Sequence, residues 1–323
     1  MAQSVASRVS VIPPIYRQIH GEPRRTPWRA SSTGGTGRHS LLCVLIGVNV
    51  PNFGPGTRPA VLRDWARTVE GLGFDLLMMS DHVAITPDVA TRYPAPFYDP
   101  FTTLSWLAGV TERIAIGTTV LIAPYRHPLL VARMAANLND LSGGRFVLGV
   151  GIGWAREEFA ALGVPFHRRG ALTDELITAV RAAWQDDGYR AGDIPIWIGG
   201  HSDGALRRVV RLGDAWHPLR QTPSDWRDTL ARVKAIAHDE GRPVPELAPR
   251  ILLRLTDEPV ADRRLGEGTL DQVAGDLEQL RADGATAVVL DPFAGDPEET
   301  LRPERAWRML AEVRETLREK ENR

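Results

Sequence analysis

From Leu41 onward, short runs that are almost wholly apolar alternate with longer stretches in which apolar residues return every three or four positions. The first pattern predicts strands buried on both faces of a parallel sheet, and the second predicts amphipathic helices packed over it. Strands are expected over residues 42–50, 74–80, 113–120, 145–151, 194–198, 214–217, 249–256 and 286–291. Helices are expected over 59–72, 99–109, 128–141, 171–185, 202–212, 224–240, 269–282 and 297 to about 319. Pro59 stands near a first helical turn and Gly73 just past its end, the order in which these residues favour helix starts and stops.

Eight alternations over roughly 280 residues fit an α/β chain folded as a single (β/α)8 TIM barrel. A doubly wound sheet is the alternative. Against it, the glycine-rich turn follows the fourth strand rather than the first, and Gly149-Val150-Gly151-Ile152-Gly153-Trp154 lacks the full dinucleotide fingerprint.

Residues 1–40 do not share the pattern. Six arginines there face one acid, Glu22; prolines interrupt the segment, and residues 31–37 read SSTGGTG. It is expected to be a poorly packed N-terminal extension ahead of a barrel domain spanning 41–323. It lacks the long apolar region of a secretory signal.

Composition narrows the function. The chain has 323 residues and a net charge of -1, so nothing points to a nucleic-acid partner. Its one cysteine, Cys43, sits in an apolar run and reads as a core filler. No apolar stretch is long enough to span a membrane, and a cytoplasmic location is expected.

In a barrel, chemistry gathers at the C-terminal ends of the strands. Those ends carry Asn52 and Phe53, Ser80-Asp81-His82, Thr118-Thr119-Val120, Gly151-Ile152-Gly153-Trp154, Gly199-Gly200-His201-Ser202, Trp216-His217 and Asp291-Pro292-Phe293. Glycine, aromatic rings and histidine dominate, and no spacing resembles a metal site, so the set suits a flat heteroaromatic cofactor better than a metal. Glycines 149, 151 and 153 would let a flat ligand lie against the backbone. His82 could donate a proton or stabilise charge beside a reacting ring, or be a loop histidine bonded to Asp81. Gly199 to Ser202 could cradle a phosphate at a helix start, and Ser202 could equally be a plain N-cap. Trp154 and Trp216 could line a pocket or pack under loops.

Taken together, residues 44 to about 293 resemble the luciferase-like superfamily, which includes bacterial luciferase, FMN-dependent monooxygenases and oxidoreductases using the deazaflavin coenzyme F420. The resemblance is carried by GFDLLMMSDHV at 73–83, RIAIGTTVLIAPYRHP at 113–128, LSGGRFVLGVGIGWAREEFAALG at 141–163, IPIWIGGHSDGALRRVVRLGDAW at 194–216 and GTLDQVAGDLEQLRADGATAVVLDPF at 268–293. The deazaflavin-dependent branch is the most similar.

The resemblance implies a catalytic His82 near the reactive ring carbon and Asp81 near the ring edge. It implies a cofactor seat at Thr119 and Val120, joined by a non-proline cis peptide, with Gly151, Ile152 and Gly153 beside it. Gly199, Gly200, His201 and Ser202 would hold the phosphate, and Phe53, Trp154 and Trp216 would meet substrate. Departures bear on the substrate. Trp154 stands where sugar-phosphate dehydrogenases of the superfamily carry a glutamate. Ile152 stands where luciferase has an arginine near the cofactor phosphate, and Ala215 replaces a usual glycine. Trp184 and Ile194 are only ten residues apart, where most relatives have a longer segment.

The expectation is an F420-dependent oxidoreductase acting on a small organic substrate, with Arg126, Arg156, Arg168 and Arg169 available to the acidic tail of F420. The alternatives are an FMN-dependent monooxygenase fed by a separate flavin reductase, and a non-catalytic cofactor-binding protein. A homodimer stays open.

Overall fold

A computed structural model describes residues 44–321. The N-terminal extension (1–40), Cys43 and the start of the first predicted strand lie outside the described residues. Eight parallel strands form the inner ring: β1 (Leu45–Asn49), β2 (Leu76–Met79), β3 (Ala115–Thr118), β4 (Phe146–Gly151), β5 (Ile196–Gly199), β6 (Ala215–His217), β7 (Arg250–Leu252) and β8 (Ala287–Asp291). Hydrogen-bonded neighbours run in sequence from β1 to β6, and β8 pairs with both β1 and β7. The ring closes through the chain around β7. Ala248 N–H donates to Trp216 O at 2.9 Å and Arg250 N–H to Pro218 O at 2.8 Å on one side, while Val289 N–H donates to Pro249 O at 2.9 Å on the other.

The helices between strands are α1 (Pro59–Gly71), α2 (Pro100–Ala108), α3 (Pro128–Leu141), α4 (Arg169–Ala183), α5 (Asp203–Leu212), α6 (Pro223–Asp239), α7 (Leu270–Ala282) and α8 (Pro303–Glu321). Local chemistry sets their starts. α1, α2, α3, α6 and α8 each begin at a proline, whose missing N–H costs nothing in a first turn. Reciprocal side-chain caps, Thr222 with Asp225 and Thr269 with Gln272, start α6 and α7. One apolar core joins the strands' outward faces to the helices and includes the fully buried Ile116, Leu148, Ile196 and Val288. Among the described residues no helix is long and apolar enough to cross a membrane.

Two expected elements are broken. The seventh predicted strand does not run on to Thr256. Arg254–Leu255 leaves the ring and pairs with Glu267–Gly268 in a separate two-stranded ladder. The last predicted helix is interrupted at Arg302, whose φ of -129° and ψ of 58° are not helical. Pro303 explains this, because its ring clashes with a helical residue before it. The loops after β2 and β4 also contain two short helices, Pro87–Ala90 and Arg156–Ala161, that the apolar pattern did not reveal. They are tied together where Glu157 N–H donates to Asp88 Oδ2 at 3.1 Å.

Candidate active site

The short helix Arg156–Ala161 brings Glu158 over the end of β2. Its side chain is fully buried, and its Oε2 lies 2.7 Å from His82 Nδ1. Oε1 accepts the backbone N–H groups of Val83 (2.6 Å) and Ala84 (3.1 Å), and Oε2 also accepts the Tyr125 hydroxyl at 3.0 Å. Burial alone would raise the Glu158 pKa, but the His82 hydrogen bond and charge and the two amides outweigh it and hold the carboxyl below its ordinary value. Burial and the Glu158 charge push the Tyr125 phenol well above its ordinary range, so it stays protonated and donates.

The His82 ring is packed among aromatic rings. Tyr93 lies at 5.2 Å between centroids, Phe97 at 5.6 Å edge-on and Trp154 at 5.6 Å edge-on. Among the described residues, no hydrogen bond reaches its Nε2. Trp154 is 46% exposed, so its indole reaches from the His82 ring to the surface as an outer wall. Phe53 is buried one layer deeper, against Tyr93, Phe97 and Phe293, and supports that wall from behind. At the end of β1, Asn52 Nδ2 donates to Ser80 O and Tyr98 O, while its buried Oδ1 has no hydrogen-bond partner among the described residues.

Asp81 points away from His82. Its carboxylate takes two hydrogen bonds from Arg126 (2.6 and 2.9 Å) and one from Ile122 N–H (2.8 Å). Arg126 also pairs with Asp99 at 2.9 Å. Asp81 therefore fixes the segment after β3. Arg126 is committed to these acids, which corrects the expectation that it is free for an acidic cofactor tail. Of the other three arginines, Arg156 and Arg169 stack on Phe166 and Arg168 pairs with Glu175.

The peptide between Thr119 and Val120 is cis. Gly149 and Gly151 face this turn of the chain. A Cβ on Gly149 would run into the Thr118 carbonyl, and one on Gly151 into the Val120 side chain. Their missing side chains make room for the neighbouring strand rather than directly for a ligand, which revises the sequence reading of these two positions. Gly153 has φ +75°, and a Cβ there would meet Ile122 and Phe159. Ile152 is partly exposed beside it.

Beneath the cis peptide, inside the ring, lies a buried polar network. Thr119 Oγ1 is 2.8 Å from His217 Nε2, and His217 Nδ1 is 2.5 Å from the Ala248 carbonyl. A carbonyl only accepts, so Nδ1 carries the proton and Nε2 accepts from Thr119. Arg250 donates to Thr119 O at 2.6 Å and to Asp291 Oδ2 at 2.7 Å, and Asn49 donates to Asp291 Oδ1 at 3.0 Å. Burial and the Arg250 charge push the His217 pKa down to about 4, against the opposing effect of the Ala248 carbonyl. This histidine is neutral and structural.

The β5 end supplies the other half of the site. Ser202 caps α5, its Oγ accepting Ala205 N–H at 3.3 Å. His201, Ser202, Asp203 and Gly204 are exposed, and Gly200 takes a φ of +106°. The cap uses one amide of the first turn. Those of Asp203 and Gly204 have no carbonyl behind them in the helix and face where an anion would sit. Trp216 belongs elsewhere. It is 0% exposed, stacked on Trp226 at 5.2 Å, and its indole N–H donates to Gly200 O at 2.8 Å. It props up the glycine turn from the core and cannot touch substrate, a correction to its assignment as a substrate contact.

The sequence brought forward His82 and the α5 turn but missed Glu158, Tyr125 and Arg250. In the sequence, Glu157-Glu158 reads only as an acidic helical turn after Trp154. The burial of Glu158 beside Phe159 is the clue, since a carboxylate on an apolar helix face needs partners. A groove of about 770 Å³ at the ends of β1 and β8 is lined by Trp65, Phe293, Thr300 and Met309, but by no predicted site residue other than residues around Phe293. The chemistry is concentrated at β2, β4 and β5 instead.

Residues 40–256 match the family model of luciferase-like monooxygenases. A phthiodiolone/phenolphthiodiolone dimycocerosates ketoreductase of Mycobacterium tuberculosis is 30% identical over 231 residues, covering 60% of this chain and 60% of that protein. Among solved structures, the coenzyme F420-dependent tetrahydromethanopterin reductase of Methanopyrus kandleri superposes with a TM-score of 0.61 at 17% identity, covering 83% of this chain and 97% of that one. The oxygenating constituent of 3,6-diketocamphane monooxygenase from Pseudomonas putida, in complex with FMN, superposes with a TM-score of 0.65 at 14% identity, covering 84% and 96%. These structural likenesses show a common fold.

Proposed function

The chain belongs to the luciferase-like monooxygenase family, and from that premise we propose that it is a cytoplasmic F420-dependent oxidoreductase that moves hydride between the cofactor and a ketone or secondary alcohol. The observation that carries this reading is His82. It is a buried histidine held by a carboxylate at a strand end, with aromatic rings packed around it and, among the described residues, no hydrogen bond to its Nε2.

The chain's residues fit such a cofactor. The exposed first turn of α5 suits a phosphate, the partnerless Asn52 Oδ1 is a ready acceptor, and Trp154 offers a flat wall. Gly200 to Gly204 would hold the phosphate, and the segment around Thr119 and Val120 would seat the ring. When bound, the cofactor would supply or accept the hydride. His82 would pass the accompanying proton to or from the substrate oxygen. Trp154, with Phe53 behind it, would orient the substrate and exclude water.

Ile152 supports F420 over FMN, because it offers no charge to an FMN phosphate. The ketoreductase relative supports a carbonyl substrate. The FMN-dependent monooxygenase is the second reading, favoured by the FMN complex that shares the fold. Fluorescence titration of the purified protein with each cofactor separates them. F420 is expected to bind more tightly. Equal affinities, or tighter FMN binding, would overturn the preference, and micromolar binding of neither would favour a non-catalytic role.

A further inference from the structure

Glu158 is saturated with donors of two kinds. The Val83 and Ala84 amides on Oε1 are backbone groups that can only donate. His82 Nδ1 and the protonated Tyr125 hydroxyl share Oε2. The carboxyl is ionised, so the hydrogen in the 2.7 Å contact to His82 must sit on Nδ1. We propose that Glu158 is a positioning residue that fixes His82 in its Nδ1–H tautomer and so presents a bare Nε2 lone pair to the substrate. The proposal rests on the reading above that His82 handles the substrate proton. In the alcohol-to-ketone direction, the substrate O–H bond breaks and its proton passes to Nε2. Glu158 then balances the charge of the doubly protonated ring. In the opposite direction Nε2 returns that proton to the oxygen formed from the carbonyl.

The surroundings of Glu158 make the assignment unusually sensitive to one atom. In Glu158→Gln, the amide oxygen must take the place of Oε1, because two backbone N–H groups point there. The amide NH2 then falls at the Oε2 position, facing His82 Nδ1. Two donors cannot share one hydrogen bond, so the ring is expected to shift its proton to Nε2 and offer Nδ1 as the acceptor. The shape of the site is kept while the lone pair aimed at the substrate becomes an N–H.

The test is two-bond proton–nitrogen NMR on apoprotein labelled with 15N-histidine, at a pH where the ring is neutral, with the His82 signals assigned by their loss in His82→Ala. The wild-type spectrum is expected to show His82 as Nδ1–H, and Glu158→Gln to show it as Nε2–H. With cofactor and substrate, Glu158→Gln should lower kcat by about a hundredfold or more while cofactor affinity and KM stay near the parent values. An Nε2–H tautomer in the wild type, or a variant whose tautomer and kcat match the parent, would overturn the proposal. The wild-type spectrum decides even if the variant does not fold. A tautomer as expected without any F420 turnover would leave the positioning role standing and remove the proposed function instead.

Discussion

Two histidines stand at strand ends in the same barrel mouth, and their surroundings give them opposite properties. His82 ends β2 with an ionised carboxylate on one ring nitrogen and aromatic rings packed around the imidazole. His217 ends β6 with a neutral carbonyl on one nitrogen, a threonine hydroxyl on the other and the Arg250 guanidinium nearby. The buried carboxylate accepts from the ring nitrogen it faces, which suits the first ring to the proton-handling role proposed for it. Around the second, burial and the neighbouring Arg250 cation outweigh the carbonyl that accepts from Nδ1, so it stays neutral and serves as a strut. Position at a strand end, which is all the sequence offers, does not distinguish them. The partners that folding brings to each ring do: a carboxylate for His82, and burial beside a cation for His217.

The strongest way to sharpen this contrast is acid titration of stability. The His217 pKa falls from 6.5 to about 4 on folding, so between those values the unfolded chain binds more protons than the folded one. Stability from this group is complete above about pH 6.5 and is lost as pH falls toward 4. A shift of this size is worth about 3 kcal/mol. In His217→Gln that part of the pH dependence should vanish, read as the difference between wild-type and variant urea midpoints at pH 7.5 and 4.5. A difference that does not change with pH would show that His217 is not held neutral.

A smaller effect is expected at the other end of the site, at Ser202. Aspartate caps helices about as well as serine, and its charge suits a helix start by a few tenths to 1 kcal/mol. Ser202→Asp should therefore melt at or slightly above the parent temperature without cofactor. A phosphate on the same amides would be repelled. Two unit charges ~4 Å apart near a surface repel by up to about 4 kcal/mol, and a third of that weakens binding about tenfold. Unchanged affinity would place the phosphate elsewhere and leave Gly199 to Ser202 as a capped turn.

Much of the fold could be read from apolar periodicity, because each ring strand is buried on both faces and each helix on one. α3 spans the residues its pattern predicted, from Pro128 to Leu141. The failures have local causes. Pro303 cuts the last helix, and the chain after β7 leaves the ring for a ladder that periodicity cannot reveal. At the site, His82 and the Ser202 turn were legible because strand ends and helix caps have sequence signatures. Glu158 was not, because its partner lies 76 residues away and nothing local marks the pair. Trp216 looked like a pocket wall from its strand-end position, and its burial on Trp226 could come only from the packing of α6. The ring's polar interior of Asn49, Arg250 and Asp291 was hidden for the same reason.

The most direct test of the account is turnover of F420 with a panel of simple ketones and secondary alcohols, run side by side on the parent and His82→Ala. The account predicts measurable turnover by the parent. In the variant it predicts a rate lower by about a hundredfold or more, with F420 affinity and thermal stability nearly unchanged. Equal rates in the two proteins would contradict it, because His82 would then be one more buried histidine, held by Glu158 for the sake of the fold.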